Sequence, residues 1–478
     1  MPNQHKPLPP VADMEQPLRT YFDLSLSDKE IAQHLTSHYD TSQYGCSYIS
    51  VRRLRKEWGL KSTRQQKHTS QSIEPFVKEI KSKFPHHGIL AVWKNLRQEF
   101  NVRASENTVK TLLRQLEPDA MRARKGKKFH RTKFYAAGVD NCWGQDQHDK
   151  WGPRFGLWLH NSIYPFIAFN NWLKVWHTNK NPHLITKYFL DMSLPVFTQI
   201  DPGNENNGVA NVQTIMRQRL DPNLAGTLQH KWMTEKNNVK NEGNWSVMRA
   251  DLSPGLEDLF EFGLQNGWYD VGNPLENLVF RWLAIPFVQI QLDIWVNHHN
   301  KTKPRRDKHK VLPHGIPELL RTKPNFYGLV DFKIPVSSQI LDEMEARFAP
   351  PDHEVFQLVP PEFDHWANIY YDSMERPVVQ HKTFWDIYRQ LLAYFTQVPD
   401  VEVDLQIPLS SHKETTRRID EEEVPLLPGQ QPLRRVAEIY RPETASSSTS
   451  GAVGVQYGTP EYANFTSSED DSDGDDDG

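Results

Sequence analysis

Three acidic residues, each at the boundary of a predicted element, are the strongest candidates for chemistry in this chain. Asp201 follows a short predicted strand, Pro195–Ile200; Asp146 lies 55 positions before it and Glu242 lies 41 positions after it. Carboxylates from separate elements can converge on Mg²⁺, a hard cation that prefers oxygen ligands. Two such ions about 3.5–4 Å apart support in-line displacement at phosphorus. The pattern therefore favours metal-dependent phosphoryl transfer.

A short motif surrounds each of these carboxylates. Trp143 to Asp146 has the pattern W-x-x-D, and Asp201 to Glu205 has the pattern D-x-G-x-E. Asn238 to Trp245 carries Glu242 in the pattern N-x-x-x-E-x-x-W, whose named positions recur at helical spacing. Together the motifs resemble the Asp, Asp, Glu metal triad of ribonuclease H-like polynucleotidyl transferases, and in particular the fungal integrase core domain-containing proteins, a transposon-derived group.

The resemblance extends from about Leu26 to Leu320 and implies a mechanism. In that mechanism Asp146, on a central first strand, bridges two Mg²⁺ (or Mn²⁺) ions, while Asp201 and Glu242 each bind one of them from a strand end and a helix. The implied activity is DNA strand cleavage and joining without a covalent enzyme intermediate. The implied partner is double-stranded DNA, and the resemblance allows a homo-oligomer assembled on DNA ends.

Neighbouring acidic residues compete for these positions. Asp149 lies three residues after Asp146, but Asp146 completes the W-x-x-D pattern. Glu235, seven positions before Glu242, stays open as the third ligand because its distance from the second motif is near that of retroviral integrases. Glu205 is expected to open the following helix, where its charge meets the positive end of the helix dipole.

Two positions depart from the family pattern. Asn161-Ser162-Ile163 stands where relatives often have an acidic residue, and Gly243 weakens the predicted helix that carries Glu242. These departures support a second hypothesis. In it the chain is a domesticated DNA-binding or scaffold protein that keeps the core without turnover.

Composition narrows the class of protein. The 478 residues suffice for two or three domains, and 14 Trp within an 11% aromatic content supply ample core material. Only Cys46 and Cys142 are present, which excludes a disulfide framework and a cysteine-rich zinc site and favours a reducing compartment. With no signal-peptide pattern and no apolar run near the roughly 18 residues that span a bilayer, no membrane association is expected.

The net charge of −4 hides a strong asymmetry along the chain. Between Val51 and Asp140 there are 22 Lys and Arg against 8 Asp and Glu, whereas Glu443 to Gly478 contains 9 acidic residues and no Lys or Arg. A basic block suits a polyphosphate partner, through charge pairing and counterion release. We therefore expect a nuclear protein that binds DNA with its N-terminal part.

Two small helical units are predicted ahead of the core, at residues 20–67 and 70–118. In the first, Ser27 and Glu30 form a capping-box pattern, and Ser47 to Trp58 predicts a second, basic helix. Such a pair resembles a helix-turn-helix. Residues 119–135 form a basic linker, typical of a backbone-tracking arm or a nuclear import signal. The predicted DNA-binding residues are Arg52, Arg53, Arg55, Lys56, Lys125, Lys127 and Lys128.

Residues 136–325 are predicted to form the core, with a helical extension. Phe155 to Leu159 alternates as a strand does, and the aromatic run from Phe166 to Trp176, interrupted by Asn170 and Asn171, predicts two strands of a hairpin. Alternating strands and helices by themselves indicate only an α/β fold. The resemblance implies an α/β ribonuclease H-like core, a five-stranded mixed sheet with flanking helices.

The remainder of the chain is predicted from its composition. Residues 326–398 are interpreted as an accessory region that contains several aromatic side chains. Residues 399–478 are rich in Pro, Ser, Glu and Asp, which predicts a disordered acidic tail because such a segment has too little apolar surface to offset the entropy of ordering.

Overall fold

The computed structural model describes residues 6–123, 136–192, 194–233, 238–304, 312–409 and 412–433. The described residues divide into two compact units, one before residue 124 and one from residue 136 onward. Most of the predicted basic linker, the rival ligand Glu235 and all residues after 433 lie outside the described residues.

All regular elements in the described part of the N-terminal unit are helices. The predicted capping box is present, since Ser27 accepts from the backbone N–H of Glu30 while the Glu30 carboxylate accepts from the backbone N–H of Ser27. One further helix begins before residue 20, the predicted start of this unit, and packs against the capped helix. The helices are α1 Val11–Asp23, α2 Asp28–Leu35, α3 Tyr48–Glu57, α4 Thr63–Gln66, α5 Ser70–Lys83, α6 Ile89–Gln98, α7 Glu106–Leu116 and α8 Pro118–Ala123.

A five-stranded mixed sheet forms the centre of the second unit and confirms that part of the predicted fold. Its strand order is β3-β2-β1-β4-β5. β1, β2 and β3 pair antiparallel, whereas β4 and β5 run parallel to β1, so the sheet changes from one pairing mode to the other at its central strand. The strands are β1 Cys142–His148, β2 Trp158–Tyr164, β3 Phe169–Trp176, β4 Phe197–Ile200 and β5 His230–Trp232.

The predicted position of the hairpin was wrong. Phe155 ends a short helix, and Gly156 takes the left-handed backbone conformation that closes it, so the strand begins only at Trp158. The run predicted as two strands is the single strand β3, paired with β2. Asn170 lies inside β3, where its side chain accepts from Asn244 of α12 and its backbone bonds Asn300 of α14, contacts that the local sequence does not reveal.

Helices cover the sheet. The main apolar core contains residues of the sheet and of helices α10 and α11: Trp143 of β1 contacts the ring of Phe189, and Val209 and Val212 belong to the same cluster. Helices of the predicted accessory region pack onto α10, α11 and the long helix α14. The helices of this unit are α9 Gly152–Phe155, α10 Pro182–Leu190, α11 Asn207–Leu220, α12 Val239–Asp251, α13 Ser253–Gln265, α14 Pro274–Asn300, α15 Pro317–Thr322, α16 Ser338–Phe348, α17 Pro361–Ser373, α18 Phe384–Thr396, α19 Val401–Asp404 and α20 His412–Asp420.

Helix α14 closes the exposed edge of β3. Its Gln289 accepts from the backbone N–H of Val175 at 3.1 Å and donates to the carbonyl of Leu173 at 3.0 Å. Three turns later, Asn300 makes the same pair of bonds with the backbone of Asn170. By length and composition α14 could cross a membrane, but these amide contacts make it a core helix that satisfies an edge strand.

The predicted boundary of the disordered tail at residue 399 was wrong. Residues 412–420 form α20, and residues 421–433, which we call the C-terminal strap, continue across the second unit. The strap is fixed by bonds to its backbone: Asn211 donates to the carbonyl of Pro425 at 2.9 Å, and Gly226 accepts from the N–H of Gln431 at 2.8 Å. Composition did not predict the ordered strap because the side chains that stabilise it belong to other parts of the chain.

Candidate active site

The register of the sheet brings Asp146 and Asp201 together. β1 and β4 are parallel, and Gly144 pairs with Gln199. Two residues farther along each chain are Asp146 and Asp201, so the same register places the two carboxylates at one level of the sheet. Asp201 immediately follows β4, where the backbone has left the ladder and the side chain is exposed.

Asp146 is the most perturbed of the three carboxylates. Its Oδ2 accepts from the indole Nε1 of Trp245 at 2.9 Å, and its Oδ1 accepts from the backbone N–H of Gln147 at 3.0 Å. Burial first, then the charge of Asp201 and lastly that of Glu242 raise the pKa of Asp146, and against the lowering effect of the two hydrogen bonds they bring it to about 7. Burial likewise raises the pKa of Asp201. The site therefore combines one part-buried carboxyl with two exposed ones.

Glu242 reaches this site from the first turn of α12. The residue is exposed, and its backbone N–H donates to the carbonyl of Asn238. Trp245 lies three residues later, a spacing that puts it on the same side of the helix as Glu242. Because Trp245 also bonds Asp146, one helix both supplies the third carboxylate and contacts the first.

A row of three asparagines fixes α12 against the sheet. Asn238, Asn241 and Asn244 recur every third residue and bond to the three antiparallel strands in turn. Their amides donate to the carbonyl of Gln145 in β1, to Oδ1 of Asn161 in β2 and to Oδ1 of Asn170 in β3, at 2.8, 2.7 and 2.6 Å. This row of asparagines was not predicted from the sequence. The regular spacing of the asparagines was the only signal that could have indicated it.

Gly144 makes the close approach of α12 possible. A Cβ atom at this position of β1 would lie 2.4 Å from Oδ1 of Asn241, well inside contact distance. The glycine of the W-x-x-D motif is therefore a packing requirement of the helix that carries Glu242.

His148 supports the indole that contacts Asp146. Its ring lies 5.0 Å from the ring of Trp245. Burial, followed by the positive charges of Lys150 and Arg249, lowers the pKa of His148 to about 4, so the imidazole is neutral at pH 7. A neutral ring packs against the indole without adding charge to the site.

Asn206 connects the two aspartate motifs. This fully buried side chain accepts from the Gln147 amide at 2.8 Å and donates to the carbonyl of Asp201 at 3.1 Å. It also donates to Oε1 of Glu205, so the end of the D-x-G-x-E motif is held by the residue after it. Asn206 was not among the predicted site residues.

The rival residues Asp149 and Glu205 belong to a neighbouring acidic group with Asp420 of α20. Burial and, to a smaller extent, the charges of Asp149 and Glu205 raise the pKa of Asp420 to about 6, although a hydrogen bond from Thr178 and the charge of Lys180 oppose the rise. Burial and the charge of Asp149 also raise the pKa of Glu205. The charges that act on Asp146 come from Asp201 and Glu242.

The predicted DNA-binding residues separate into three groups. Arg52, Arg53 and Lys56 are exposed on α3. Arg55 is buried: its guanidinium donates to Asp28 at 2.7 Å and to the carbonyl of Leu60, and it lies over the ring of Phe22. Arg55 links α3 to α2 through Asp28, so its guanidinium is not available to bind phosphate. Lys125, Lys127 and Lys128 lie outside the described residues.

The three carboxylates are too far apart for all of them to bind one ion. Asp146, Asp201 and Glu242 do not all have oxygens within 4.8 Å of one another, the spacing that a single ion with three protein ligands needs. Two ions about 3.5–4 Å apart accept ligands from a wider arc. Their all-oxygen donor set is the kind that Mg²⁺ or Mn²⁺ prefers, and burial, followed by the charge of Asp201 and lastly that of Glu242, raises the pKa of Asp146.

No protein-family model and no curated protein matches this chain.

Proposed function

We propose that the second unit is a ribonuclease H-like polynucleotidyl transferase of the integrase and transposase type, which cleaves and joins DNA strands with two Mg²⁺ or Mn²⁺ ions. One observation carries the proposal. Asp146 and Asp201 lie at the same level of two parallel strands, and the helix that bears Glu242 also bonds Asp146 through Trp245. The strand order β3-β2-β1-β4-β5 supports it.

Each residue of the site has a distinct role in this proposal. Asp146, Asp201 and Glu242 would together hold the two ions, with Asp146 the carboxylate on which the charges of both others act. When bound, the ions activate the attacking hydroxyl and stabilise the departing oxygen. Trp245 and Gln147 orient the Asp146 carboxylate by donating to its two oxygens. Asn206 holds the backbone of Asp201 in place, so that the second carboxylate stays beside the first.

DNA would be recruited by α3 of the N-terminal unit, in a nuclear setting. Arg52, Arg53 and Lys56 give this helix exposed positive charge for phosphates. Tyr48 and Ile49, at the first turn, are 48% and 63% exposed. A recognition helix contacts base edges with its N-terminal residues, so exposed apolar side chains at that turn suit base contact.

The proposal is tested by nicking of supercoiled plasmid with purified full-length protein and Mn²⁺. Such a substrate requires no knowledge of the DNA ends. Asp146→Asn, Asp201→Asn and Glu242→Gln should each abolish nicking, because each removes a metal ligand. The matched control is Asp149→Asn, an exposed carboxylate three residues after Asp146 that should leave nicking unchanged.

Three other outcomes would change the assignment. Loss of nicking in Glu235→Gln but not in Glu242→Gln would move the third ligand to Glu235. Loss in Asp149→Asn but not in Asp146→Asn would move the first. DNA binding by a wild-type protein with no strand cleavage or transfer would leave the catalytically silent scaffold as the function.

A further inference from the structure

A cluster of two histidines and a glutamate joins three distant parts of the second unit. His183 lies in the first turn of α10, His353 directly before the short helical turn at Glu354–Phe356, and Glu422 in the C-terminal strap. One ligand atom from each lies within 4.8 Å of the other two, and within the described residues this is the only such cluster. None of the three carboxylates of the candidate active site belongs to it.

Hydrogen bonds to neighbouring groups orient two of the three side chains. Nδ1 of His183 lies 2.8 Å from the carbonyl of Phe348, so Nδ1 carries the ring proton and Nε2 keeps its lone pair. The amide of Asn181 donates to Oε2 of Glu422 at 2.7 Å. Metal sites in proteins commonly show this arrangement, in which a carbonyl fixes the tautomer of a histidine ligand and a second donor fixes the carboxylate.

Binding of an ion would change the hydrogen bonds of the His353 ring. Its Nε2 lies 2.9 Å from Oε2 of Glu422, while its Nδ1 accepts from the backbone N–H of Val355 at 3.1 Å. Without an ion, the ring therefore carries its proton on Nε2. An ion bound at Nε2 would move that proton to Nδ1, which then could no longer accept from Val355, so that hydrogen bond would be lost. Binding therefore requires a cation whose bond to imidazole is stronger than the hydrogen bond it displaces.

We propose that His183, His353 and Glu422 bind Zn²⁺ or a similar borderline cation. Two imidazoles and one carboxylate form a ligand set typical of zinc, with a fourth position for water, whereas Mg²⁺ and Ca²⁺ prefer oxygen ligands alone. All three side chains are part-buried, which leaves a route for the ion. This site is independent of the proposed DNA chemistry.

The bound ion fastens the C-terminal strap to α10 and to the loop before Glu354. Helix α20, which directly precedes the strap, already contacts this region, because Asn181 also donates to the carbonyl of Ile419 at 2.7 Å and Arg418 pairs with Glu354. Metal ligands that come from segments far apart in sequence stabilise the folded arrangement by binding it and not the unfolded chain.

Zinc content of the full-length protein tests the proposal. After chelator treatment and dialysis against ZnCl₂, the wild type should retain one zinc per chain that His183→Ala, His353→Ala and Glu422→Gln each lose. His365→Ala, an exposed histidine on α17, and Asp146→Asn should retain it. Co²⁺ in place of Zn²⁺ should give the visible absorption bands of a tetrahedral site in the wild type only.

Proteolysis tests the effect on the strap. Zinc should slow cleavage within residues 405–433 of the wild type and leave that rate unchanged in Glu422→Gln, whose amide is nearly the same size and keeps the fold. Folding of each variant is checked by circular dichroism in the absence of metal. Equal zinc content in the wild type and all three variants, or a wild type that retains none, would overturn the proposal.

Discussion

The carboxyl of Asp146 is subject to opposing effects of burial and hydrogen bonding. Burial and the charges of Asp201 and Glu242 favour its protonated form, while the donors Trp245 and the backbone of Gln147 favour the carboxylate. The pKa of about 7 means that burial and charge outweigh the two hydrogen bonds. Catalytic groups often have perturbed pKa values, which makes Asp146 a candidate for a catalytic role.

This perturbation predicts how stability varies with pH. A carboxyl whose pKa is raised on folding contributes most to stability below its unfolded pKa, near 4, and loses that contribution as pH rises through about 7. Asp146→Asn removes the charge. Since one pKa unit corresponds to about 1.4 kcal/mol, it should raise the free energy of unfolding at pH 8 by about 1–3 kcal/mol without divalent ions.

Urea denaturation of the wild type and Asp146→Asn at pH 5 and pH 8 measures this difference. The gain should be larger at pH 8, and added Mn²⁺ should stabilise the wild type more than the variant because the ion binds only where the carboxylate remains. Asp258→Asn, an exposed carboxylate on α13, serves as the control and should show neither effect. An Asp146→Asn protein destabilised equally at both pH values would contradict the interpretation.

At the scale of elements, α12 is the part on which the site depends. Its amphipathic pattern is weak, and three asparagine bonds to β1, β2 and β3 position it in place of an apolar stripe. Buried amides of this kind specify one alignment, since a helix shifted by one residue would leave polar groups without partners. The helix therefore sets the position of Glu242 relative to Asp146.

Glycine substitutions should show how tightly α12 is packed. Gly144→Ala places a methyl group 2.4 Å from Oδ1 of Asn241, and overpacking of this kind should lower the free energy of unfolding by about 1–3 kcal/mol. Gly243→Ala is the matched control. Its methyl group would meet nothing within 4 Å, and replacing glycine inside a helix should stabilise the protein by about 0.5–1 kcal/mol.

A double variant separates the clash from other effects of the methyl group. Gly144→Ala combined with Asn241→Ala should be more stable than the sum of the two single changes, because the second change removes the atom that the first one meets. Denaturation midpoints of the four proteins measure the coupling. Strict additivity would show that Gly144 is not required for the approach of α12.

The elements show which parts of the fold the sequence could predict. The helix that begins near Asn238 and the strand that delivers Asp201 were predicted closely, because periodicity and end signals are local properties. The limits of β2 and β3 were wrong. Asn170 was interpreted as an interruption, whereas it bonds Asn244 and Asn300, and such long-range partners have no signature in the surrounding residues.

At the scale of the whole molecule, the C-terminal strap was the largest feature that composition could not predict. Its Pro-rich and acidic residues would not form a core of their own, and they are ordered by side chains of α11, such as Asn211, that bond its backbone. The three acidic motifs, by contrast, are patterns of neighbouring residue types, so they could be found in the sequence without knowledge of the fold. Local patterns were thus easier to find in this sequence than long-range packing.

The N-terminal unit carries the positive charge, and its contribution is open to a direct measurement. Arg52 and Arg53 are exposed on α3, so their replacement by alanine in the full-length protein should weaken binding to a 20-base-pair duplex at low salt. Each phosphate contact that is lost should also reduce the slope of log affinity against log salt by about 0.9, because fewer condensed counterions are released. Fluorescence anisotropy at several salt concentrations gives both quantities.

Two controls separate the loss of DNA contacts made by α3 from a loss of overall positive charge and from a loss of folding stability. Lys29→Ala with Lys78→Ala removes the same charge from exposed positions of α2 and α5 and should change the slope little. Arg55→Ala should act through stability instead, since the buried guanidinium donates to Asp28 and to the carbonyl of Leu60, and its loss leaves these part-buried acceptors without their donor. If both double variants reduced the slope equally, binding would reflect overall charge, and α3 would have no special part in it.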